Sequence, residues 1–197
     1  EGLVPEFRNG LRVTSADAIK IVERTLNRTV NREICGLLAS QNGRPLGLHG
    51  NEIFLCQKLL QTTTEGEPVD LGFVGDIQQV KPEIIDNALL GGYVPVVSSI
   101  ATDLHGTIYN TYAHAAAAHV SLALKARRLV YLCDVPGLLR DPEQADSIIS
   151  TLKIEEVGAL RDEGIIGSGM LPKVDSAIIA IEGGVRRVHF VDGRMPH

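Results

Sequence analysis

The sequence predicts an α/β fold with a largely parallel sheet. Residues 129–133 form a continuous apolar run, which is typical of a strand covered on both faces, and residues 187–191 form a second predicted strand. Between them, helices are predicted at about 154–163 and 173–182. Because strand–helix–strand alternation is the pattern of crossover connections, the second half of the chain is expected to form parallel strand pairs.

The first half of the chain shows similar alternation with shorter elements. Ser15 and Asp17 open a helix, and a second helix is predicted through residues 34–38. Between residues 46 and 80, short apolar runs separated by Gly, Glu and Thr predict strands and hairpins. Pro82 suits the first position of a helix, and the glycines that begin at Gly91 should end that helix.

The middle of the chain is predicted to be a strand, a loop and a helix in that order. The strand covers residues 93–99, an irregular loop continues to about Thr111, and an alanine-rich helix covers roughly 112–126. Ser98 and Ser99 end the strand, where serines more often cap loops than act on ligands.

Composition excludes some classes of function. The chain has 197 residues and a net charge of −5, which argues against a nucleic-acid-binding surface, because phosphate binding needs a basic face. Arg127–Arg128 and Arg186–Arg187 flank apolar strands, and each pair is interpreted as a solvated strand entry rather than as part of a patch. No apolar run reaches the roughly 18 residues of a membrane span, so no membrane partner is expected.

The cysteines point to a reducing compartment. Cys35, Cys56 and Cys133 are odd in number, far apart and without metal-ligand spacing. A disulfide framework or a cysteine metal site is therefore not expected, and a cytoplasmic location is the simplest interpretation.

Four stretches of the sequence, in this order and spacing, carry a family resemblance. They are NGLRVT at 9–14, VDLGFVG at 69–75, LCDVPGLL at 132–139, and the segment from Gly164 to Val174, which contains GMLPKV. Together they resemble acetylglutamate kinase, of the amino acid kinase family, over essentially all 197 residues. The resemblance implies a three-layer α/β/α sandwich with a mostly parallel central sheet, incomplete at both ends.

The same resemblance implies an activity and assigns the two ligands to different parts of the chain. Residues 1–197 would be a single, partial amino acid kinase domain, with acetylglutamate bound by residues 1–110 and the nucleotide by residues 111–197, both approximately. The family phosphorylates the side-chain carboxylate of N-acetyl-L-glutamate in arginine biosynthesis. It uses ATP with Mg²⁺ that accompanies the nucleotide, and no dedicated protein metal site is expected. The resemblance also implies a homo-oligomer.

Individual roles carry over onto matching residues. Lys173 matches the family's transition-state lysine, and it follows Gly169 and Met170 at the point where a loop turns into a helix. Arg12 matches the ligand of the substrate carboxylate, since a guanidinium can donate two parallel hydrogen bonds to a carboxylate. Asn110 matches an asparagine that holds acetylglutamate.

The resemblance assigns nucleotide binding to two segments that contain glycine. Asp134 and Gly137 match a segment that frames the nucleotide, and Gly169 and Met170 are assigned to the same role. An aspartate at the carboxyl end of a strand is well placed for this, because ligands of open α/β sheets bind there.

The chain departs from the family in three places. The family's first-strand lysine and its glycine-rich phosphate-binding loops have no counterpart in these 197 residues, and the resemblance implies a final segment beyond His197. The third departure is internal. Where the family reads Asn-x-Asn-Ala-Asp-Thr, this chain reads NTYAHA from Asn110, so Tyr112 replaces an asparagine and His114 replaces the aspartate that orients the phosphate-binding lysines. The fragment is therefore expected to be weakly active or inactive.

These departures leave other functions open. One alternative is a catalytically impaired homologue that binds ligands or regulates. Another is a kinase for a different small substrate, such as aspartate, carbamate or a nucleotide, although the stretch at 9–14 favours acetylglutamate.

Overall fold

Helices and strands alternate in two separate units of the chain, Glu1–Leu124 and Lys125–His197. The computed structural model describes residues 7–8, 11–62, 68–141, 143–144, 146–167 and 169–195. The mixed α/β class predicted from the sequence is confirmed, and three of the strand pairs are parallel. The assignment of acetylglutamate to one half and nucleotide to the other stays a prediction.

The first unit contains most of the strands. Its elements, in chain order, are β1 (Phe7–Arg8), β2 (Leu11–Arg12), α1 (Ala16–Arg24), α2 (Asn31–Ser40), β3 (Pro45–Leu48), α3 (Gly50–Ile53), β4 (Phe54–Lys58), β5 (Gln61–Thr62), β6 (Pro68–Val69), β7 (Gly75–Val80), α4 (Pro82–Leu90), β8 (Val94–Val97), β9 (Ile100–Thr102), β10 (Ile108–Asn110) and α5 (Ala113–Ala123). A π-helical turn, Thr25–Val30, joins α1 to α2.

A four-stranded sheet in the order β10-β9-β4-β7 forms the centre of this unit. Its outer pairs are antiparallel, and β4 and β9 are parallel. The strands β3 and β8 form a separate parallel pair. The buried core packs on the four-stranded sheet and includes Ile53, Phe54, Ile77, Ile85 and Ala101. Burial of such aliphatic and aromatic side chains is the main stabilising contribution, at roughly 1.5–3 kcal/mol for each large residue.

The helical segment that begins at α1 is fixed to the strands through asparagines. Ser15 caps α1 by accepting a hydrogen bond from the Ala18 N–H at 3.2 Å. Further along, the buried Asn31 side chain donates to the carbonyl oxygens of Leu48 and Val96, at 3.3 and 2.8 Å. Because Leu48 and Val96 lie on the two strands of the parallel pair, one amide side chain holds the helix against both.

Ser98 has a structural role, which agrees with its interpretation as a loop cap. Its hydroxyl donates to the side-chain oxygen of the buried Asn27, and it accepts from the Gly50 N–H at 2.9 Å. Asn27 also donates to the Asn51 side chain at 3.1 Å. This buried network joins the π-helical turn to the start of α3.

The prediction of an irregular loop up to Thr111 is wrong, because most of that segment is an antiparallel hairpin of β9 and β10. The hairpin tip is built by Asp103, whose carboxylate accepts from the N–H groups of His105 and Thr107 at 2.8 and 2.9 Å. The polar residues that form such a tip also favour open loops. From the sequence alone, the hairpin therefore could not be distinguished from an irregular loop. The short helix α3 was not predicted either.

The second unit consists of one parallel strand pair and two helices, β11 (Arg128–Cys133), α6 (Ile154–Asp162), α7 (Leu171–Glu182) and β12 (Arg187–Asp192). All four elements agree with the sequence prediction to within a few residues. A small core forms where the helices meet the loop after β11, and its buried members are Leu138, Val157, Leu160, Ile166 and Val174. The ring of Tyr131 packs on that of Phe190, with centroids 5.4 Å apart.

The expectation that β11 is covered on both faces is wrong. Tyr131 and Cys133 are buried, but Val130 and Leu132 are 51% and 72% exposed. The burial alternates because successive side chains of a strand point to opposite faces of the sheet.

The described residues contain neither a membrane-spanning helix nor a metal-binding group. None of the helices there has the length and apolar character needed to cross a membrane. None of the His, Cys, Asp and Glu residues in the same ranges come together as a group of three that could hold a metal ion.

Gly72 is a position where the fold requires glycine. Its φ is +71°, and an added Cβ would lie 2.2 Å from the Thr14 carbonyl oxygen. We expect Gly72→Ala to lower the free energy of unfolding by about 3 kcal/mol, because backbone strain and a clash with backbone add together. Gly106→Ala is the matched control, since φ there is +84° but nothing lies within 4 Å, and about 1 kcal/mol is expected. Urea denaturation measures the free energy of unfolding of both variants. Equal losses in the two variants would contradict the clash between a Cβ at position 72 and the Thr14 carbonyl oxygen.

The buried Cys56 makes the fold sensitive to alkali. Burial raises the pKa of its thiol from 9.0 to about 12, and the carboxylates of Asp103 and Asp76 act in the same direction. The folded state therefore favours the neutral thiol. The contribution of this thiol to the free energy of unfolding is fully present below pH 9, and it is lost as the pH rises towards 12. Between pH 8 and pH 10, the parent should lose about 1.4 kcal/mol more than Cys56→Ala in urea denaturation. Equal losses in the two proteins would contradict this assignment.

Candidate functional site

In the first unit, the backbone brings two of the sequence motifs together. The Thr14 N–H donates to the Leu71 carbonyl at 3.0 Å, and the Phe73 N–H donates to the Thr14 carbonyl at 2.7 Å. Gly72 lies between these two bonds in the left-handed conformation, so the motif at 69–75 wraps closely around Thr14. Arg12, the last residue of β2, is two positions before Thr14.

Asn110 joins the same cluster from another strand. It is the last residue of β10, its N–H donates to the Phe73 carbonyl at 2.9 Å, and its side-chain amide lies 3.5 Å from the Thr14 hydroxyl. The amide is half-buried and offers both a donor and an acceptor. Residues that are far apart in sequence, from three of the predicted site segments, therefore meet at one place in this unit.

The start of α5 carries both substituted positions of the family motif. Tyr112 is the N-cap residue, and its side chain makes no capping hydrogen bond, whereas asparagine is among the residues that cap best. Among the described residues, the Tyr112 hydroxyl finds no hydrogen-bond partner although it is buried, and this burial raises its pKa. His114 is the second residue of the helix and is half-buried.

In the second unit, Lys173 and Asp134 lie close together at the carboxyl end of β11. Lys173 is the third residue of α7, and its Nζ is 3.7 Å from Oδ1 of Asp134, the residue that follows β11. The lysine side chain is only 17% exposed, whereas the Asp134 side chain is 86% exposed. A lysine side chain on the first turn of a surface helix is normally solvated, so a lysine side chain with so little exposure beside one exposed carboxylate is unusual.

The remaining residues assigned to the nucleotide are close to this pair in sequence, with Gly137 after Asp134 and with Gly169 and Met170 before Lys173. Gly137 has a φ of +142°, and after it the chain forms a short antiparallel arm, in which the Ile149 N–H donates to the Leu138 carbonyl at 2.8 Å. An added Cβ at Gly169 would meet nothing within 4 Å. Met170 is the N-cap residue of α7 and packs on the small core of the unit.

A cleft of about 540 Å³ opens beside Gly137. Its walls are mostly apolar and come from the loop after β11, from α6 and α7, and from β12; Leu138, Ile178 and Phe190 are among them. This volume lies within the range of small-molecule sites, about 300–1,000 Å³.

Asp192 and Arg194 lie at the same end of the strand pair and were not predicted from the sequence as candidates for the site. Asp192 ends β12 directly opposite Cys133, and Arg194 donates to both of its carboxylate oxygens at 2.8 and 2.7 Å. That hydrogen bonding raises the pKa of the Arg194 guanidinium. The argument that selected Asp134, an aspartate directly after an apolar strand, also applies to Asp192.

Comparisons with known proteins identify the family of the chain. The profile of the amino acid kinase family matches residues 1–192. Acetylglutamate kinase from Archaeoglobus fulgidus is 41% identical over 201 residues, and that from Desulfitobacterium hafniense is 43% identical over 202 residues. Both matches cover 100% of this chain, and they cover 69% and 68% of the two relatives.

The fold of a solved structure is also similar. The crystal structure of smu.665 from Streptococcus mutans UA159 superposes with a TM-score of 0.83, at 24% sequence identity. The match covers 96% of this chain and 74% of that one. The family profile covers almost the whole chain, and the matches to two acetylglutamate kinases cover all of this chain, so the resemblance drawn from the four motifs is confirmed. The chain belongs to the amino acid kinase family.

Proposed function

We propose that this chain is the larger part of an acetylglutamate kinase, which transfers the γ-phosphoryl group of ATP to the side-chain carboxylate of N-acetyl-L-glutamate in arginine biosynthesis. The observation that carries the proposal is the largely buried Lys173 on the first turn of α7, 3.7 Å from Asp134. The proposal includes a cytoplasmic location and a homo-oligomeric assembly, as the family resemblance implies.

Lys173 has the chemistry that phosphoryl transfer requires. The transferred group carries charge on its three equatorial oxygens, and catalysis consists mostly of positioning and charge stabilisation. A lysine ammonium group fixed at the start of a helix can neutralise that charge, and the positive end of the helix dipole acts in the same direction. Asp134 would hold the ammonium in place before the nucleotide arrives.

Arg12 and Asn110 would bind the amino acid. The backbone bonds around Thr14 and Phe73 hold Asn110 next to the segment that contains Arg12. A guanidinium group suits a substrate carboxylate, and an amide suits the N-acetyl group, because it can donate to the acetyl oxygen and accept from the N–H.

Asp134, Gly137, Gly169 and Met170 would frame ATP. The cleft beside Gly137 offers apolar surface for the base, and the absence of a Cβ at Gly169 leaves space for phosphates near Lys173. Mg²⁺ fits this arrangement as a companion of the ATP phosphates, since it is usually held by one or two carboxylates together with phosphate oxygens. Asp134, with its exposed carboxylate, is the residue that could contact it. When bound, Mg²⁺ would neutralise phosphate charge.

Tyr112 and His114 support a second candidate, a homologue that binds the ligands with little turnover. Tyr112 leaves α5 without a side-chain cap and has an unsatisfied buried hydroxyl among the described residues. His114 takes the position of the family's orienting aspartate, and a histidine does not supply a fixed negative charge.

Two measurements separate these candidates. Calorimetry with N-acetyl-L-glutamate on this chain tests binding, and a coupled assay of ADP release on the full-length gene product tests turnover. Binding together with acetylglutamate-dependent ADP release is the result expected for a kinase. Binding without turnover would favour the second candidate, and turnover only with aspartate or carbamate would contradict both.

Lys173→Met tests the transfer step. In the full-length gene product, kcat should fall by about 10²–10³, the usual loss when one preorganised charge-stabilising group is removed. The melting temperature should change little, because an ion pair with an exposed partner contributes at most about 1 kcal/mol. Lys153→Met, which removes an exposed lysine of the same unit, is the control and should keep full activity. Similar kcat values for the two variants would rule out the proposed role of Lys173.

His114→Asp tests whether the substitution limits activity. Restoring the carboxylate should raise kcat in the full-length gene product by about 10²–10³, through better orientation of the phosphate-binding lysines. His105→Asp introduces the same charge at an exposed position of the same unit and should change kcat less than about twofold. If neither variant is faster than the parent, His114 is not what limits turnover.

A further inference from the structure

Two pairs of arginines that are far apart in sequence come together at one end of the parallel strand pair. Arg128 and Arg187 are the first residues of β11 and β12, and they are direct partners in the register. The preceding residues, Arg127 and Arg186, are joined by a backbone hydrogen bond of 3.2 Å. Both pairs are solvated strand entries, as predicted, but the expectation that they form no patch is wrong. Pairing of the strands makes the two pairs one group, here called the arginine cluster.

The arginine cluster lines a small pocket, and two of its members, Arg186 and Arg187, also line the cleft beside Gly137. All four side chains line a cavity of about 140 Å³, and all four are exposed. In the described part of the chain, no Asp or Glu forms an ion pair with any of them. This is a local concentration of positive charge on a chain whose net charge is −5. Four guanidinium groups repel one another unless an anion lies between them.

We propose that the arginine cluster binds a small multivalent oxyanion, such as a polyphosphate, a phosphate ester or a polycarboxylate. Each guanidinium is a planar fork of donors that matches two oxygens of a phosphate or carboxylate group. Four such forks around one pocket suit a ligand with several oxygens and more than one negative charge. The pocket has room for a group of about the size of pyrophosphate.

This site is separate from the proposed phosphoryl-transfer site. Asp134 and Lys173 lie at the carboxyl end of β11, whereas the arginine cluster lies at its amino end. The strand runs from Arg128 to Cys133, and at about 3.3 Å per residue these two ends are roughly 17 Å apart. A small anion on the arginine cluster does not reach Lys173, although Arg186 and Arg187 also line the cleft proposed for the base of the nucleotide.

The test is calorimetric titration of the 197-residue chain with tripolyphosphate at low ionic strength. Arg128→Gln/Arg187→Gln should weaken binding at least tenfold, since each charge-assisted hydrogen bond is a strong one. Arg28→Gln/Arg32→Gln removes the same charge from exposed positions of the first unit and should change affinity less than about twofold. Lys173→Met should also leave this affinity unchanged.

Several outcomes would overturn the proposal. They are absence of binding, equal losses in the two double variants, or loss only in Lys173→Met, which would place the anion at the transfer site. If Arg128→Gln/Arg187→Gln does not fold, as judged by circular dichroism, Arg127→Gln/Arg186→Gln serves as the second variant, and the same tenfold loss is expected.

Two further titrations identify the class of ligand. Citrate and pyrophosphate separate carboxylate from phosphate chemistry, and either one supports the proposal if its affinity depends on the arginine cluster and falls with added salt. A third titration uses a single-stranded DNA oligonucleotide as the ligand. Cluster-dependent binding of the oligonucleotide tighter than that of tripolyphosphate would replace the small anion with a nucleic acid and overturn the proposal.

Discussion

The parallel register of β11 and β12 is the constraint on which the second unit depends. It runs without a shift from Arg128 opposite Arg187 to Cys133 opposite Asp192. Because the strands run in the same direction and in step, residues that follow the two strands come together at one end, and residues that precede them come together at the other. The carboxyl end collects Asp134 and Asp192, with Lys173 and Arg194 as their cationic partners. The amino end brings together the four arginines of the arginine cluster.

The first unit builds its site differently, from backbone rather than from side-chain charge. Hydrogen bonds from Thr14 to Leu71 and from Asn110 to Phe73 hold segments that are distant in sequence at fixed spacing. The close approach at Gly72 leaves no room for a side chain, so the geometry is set by main-chain atoms. This arrangement tolerates changes in the surrounding side chains, and it keeps Asn110 in place although Tyr112 and His114 differ from the family pattern.

Much of this arrangement could be predicted from the sequence. The helices α4, α6 and α7 and the strands β11 and β12 were predicted, because their apolar patterns and end signals are local. Lys173 was placed correctly on the first turn of a helix. The hairpin of β9 and β10 was not predicted, since the bonds of Asp103 to its turn leave no apolar pattern. The arginine cluster was missed because it exists only once two distant strands pair, and no local pattern reports that pairing.

The π-helical turn between α1 and α2 has a consequence for how this chain can vary. A π-helical turn contains an extra residue, and one residue rotates the following part of a helix by about 100°. Asn27 lies inside the turn and Asn31 directly after it, and both side chains make buried bonds to the strand side of the unit. Loss or gain of a single residue here would turn Asn31 away from Leu48 and Val96 and leave their carbonyl groups without this donor. The fold therefore constrains the number of residues in this segment more tightly than the identity of its exposed residues.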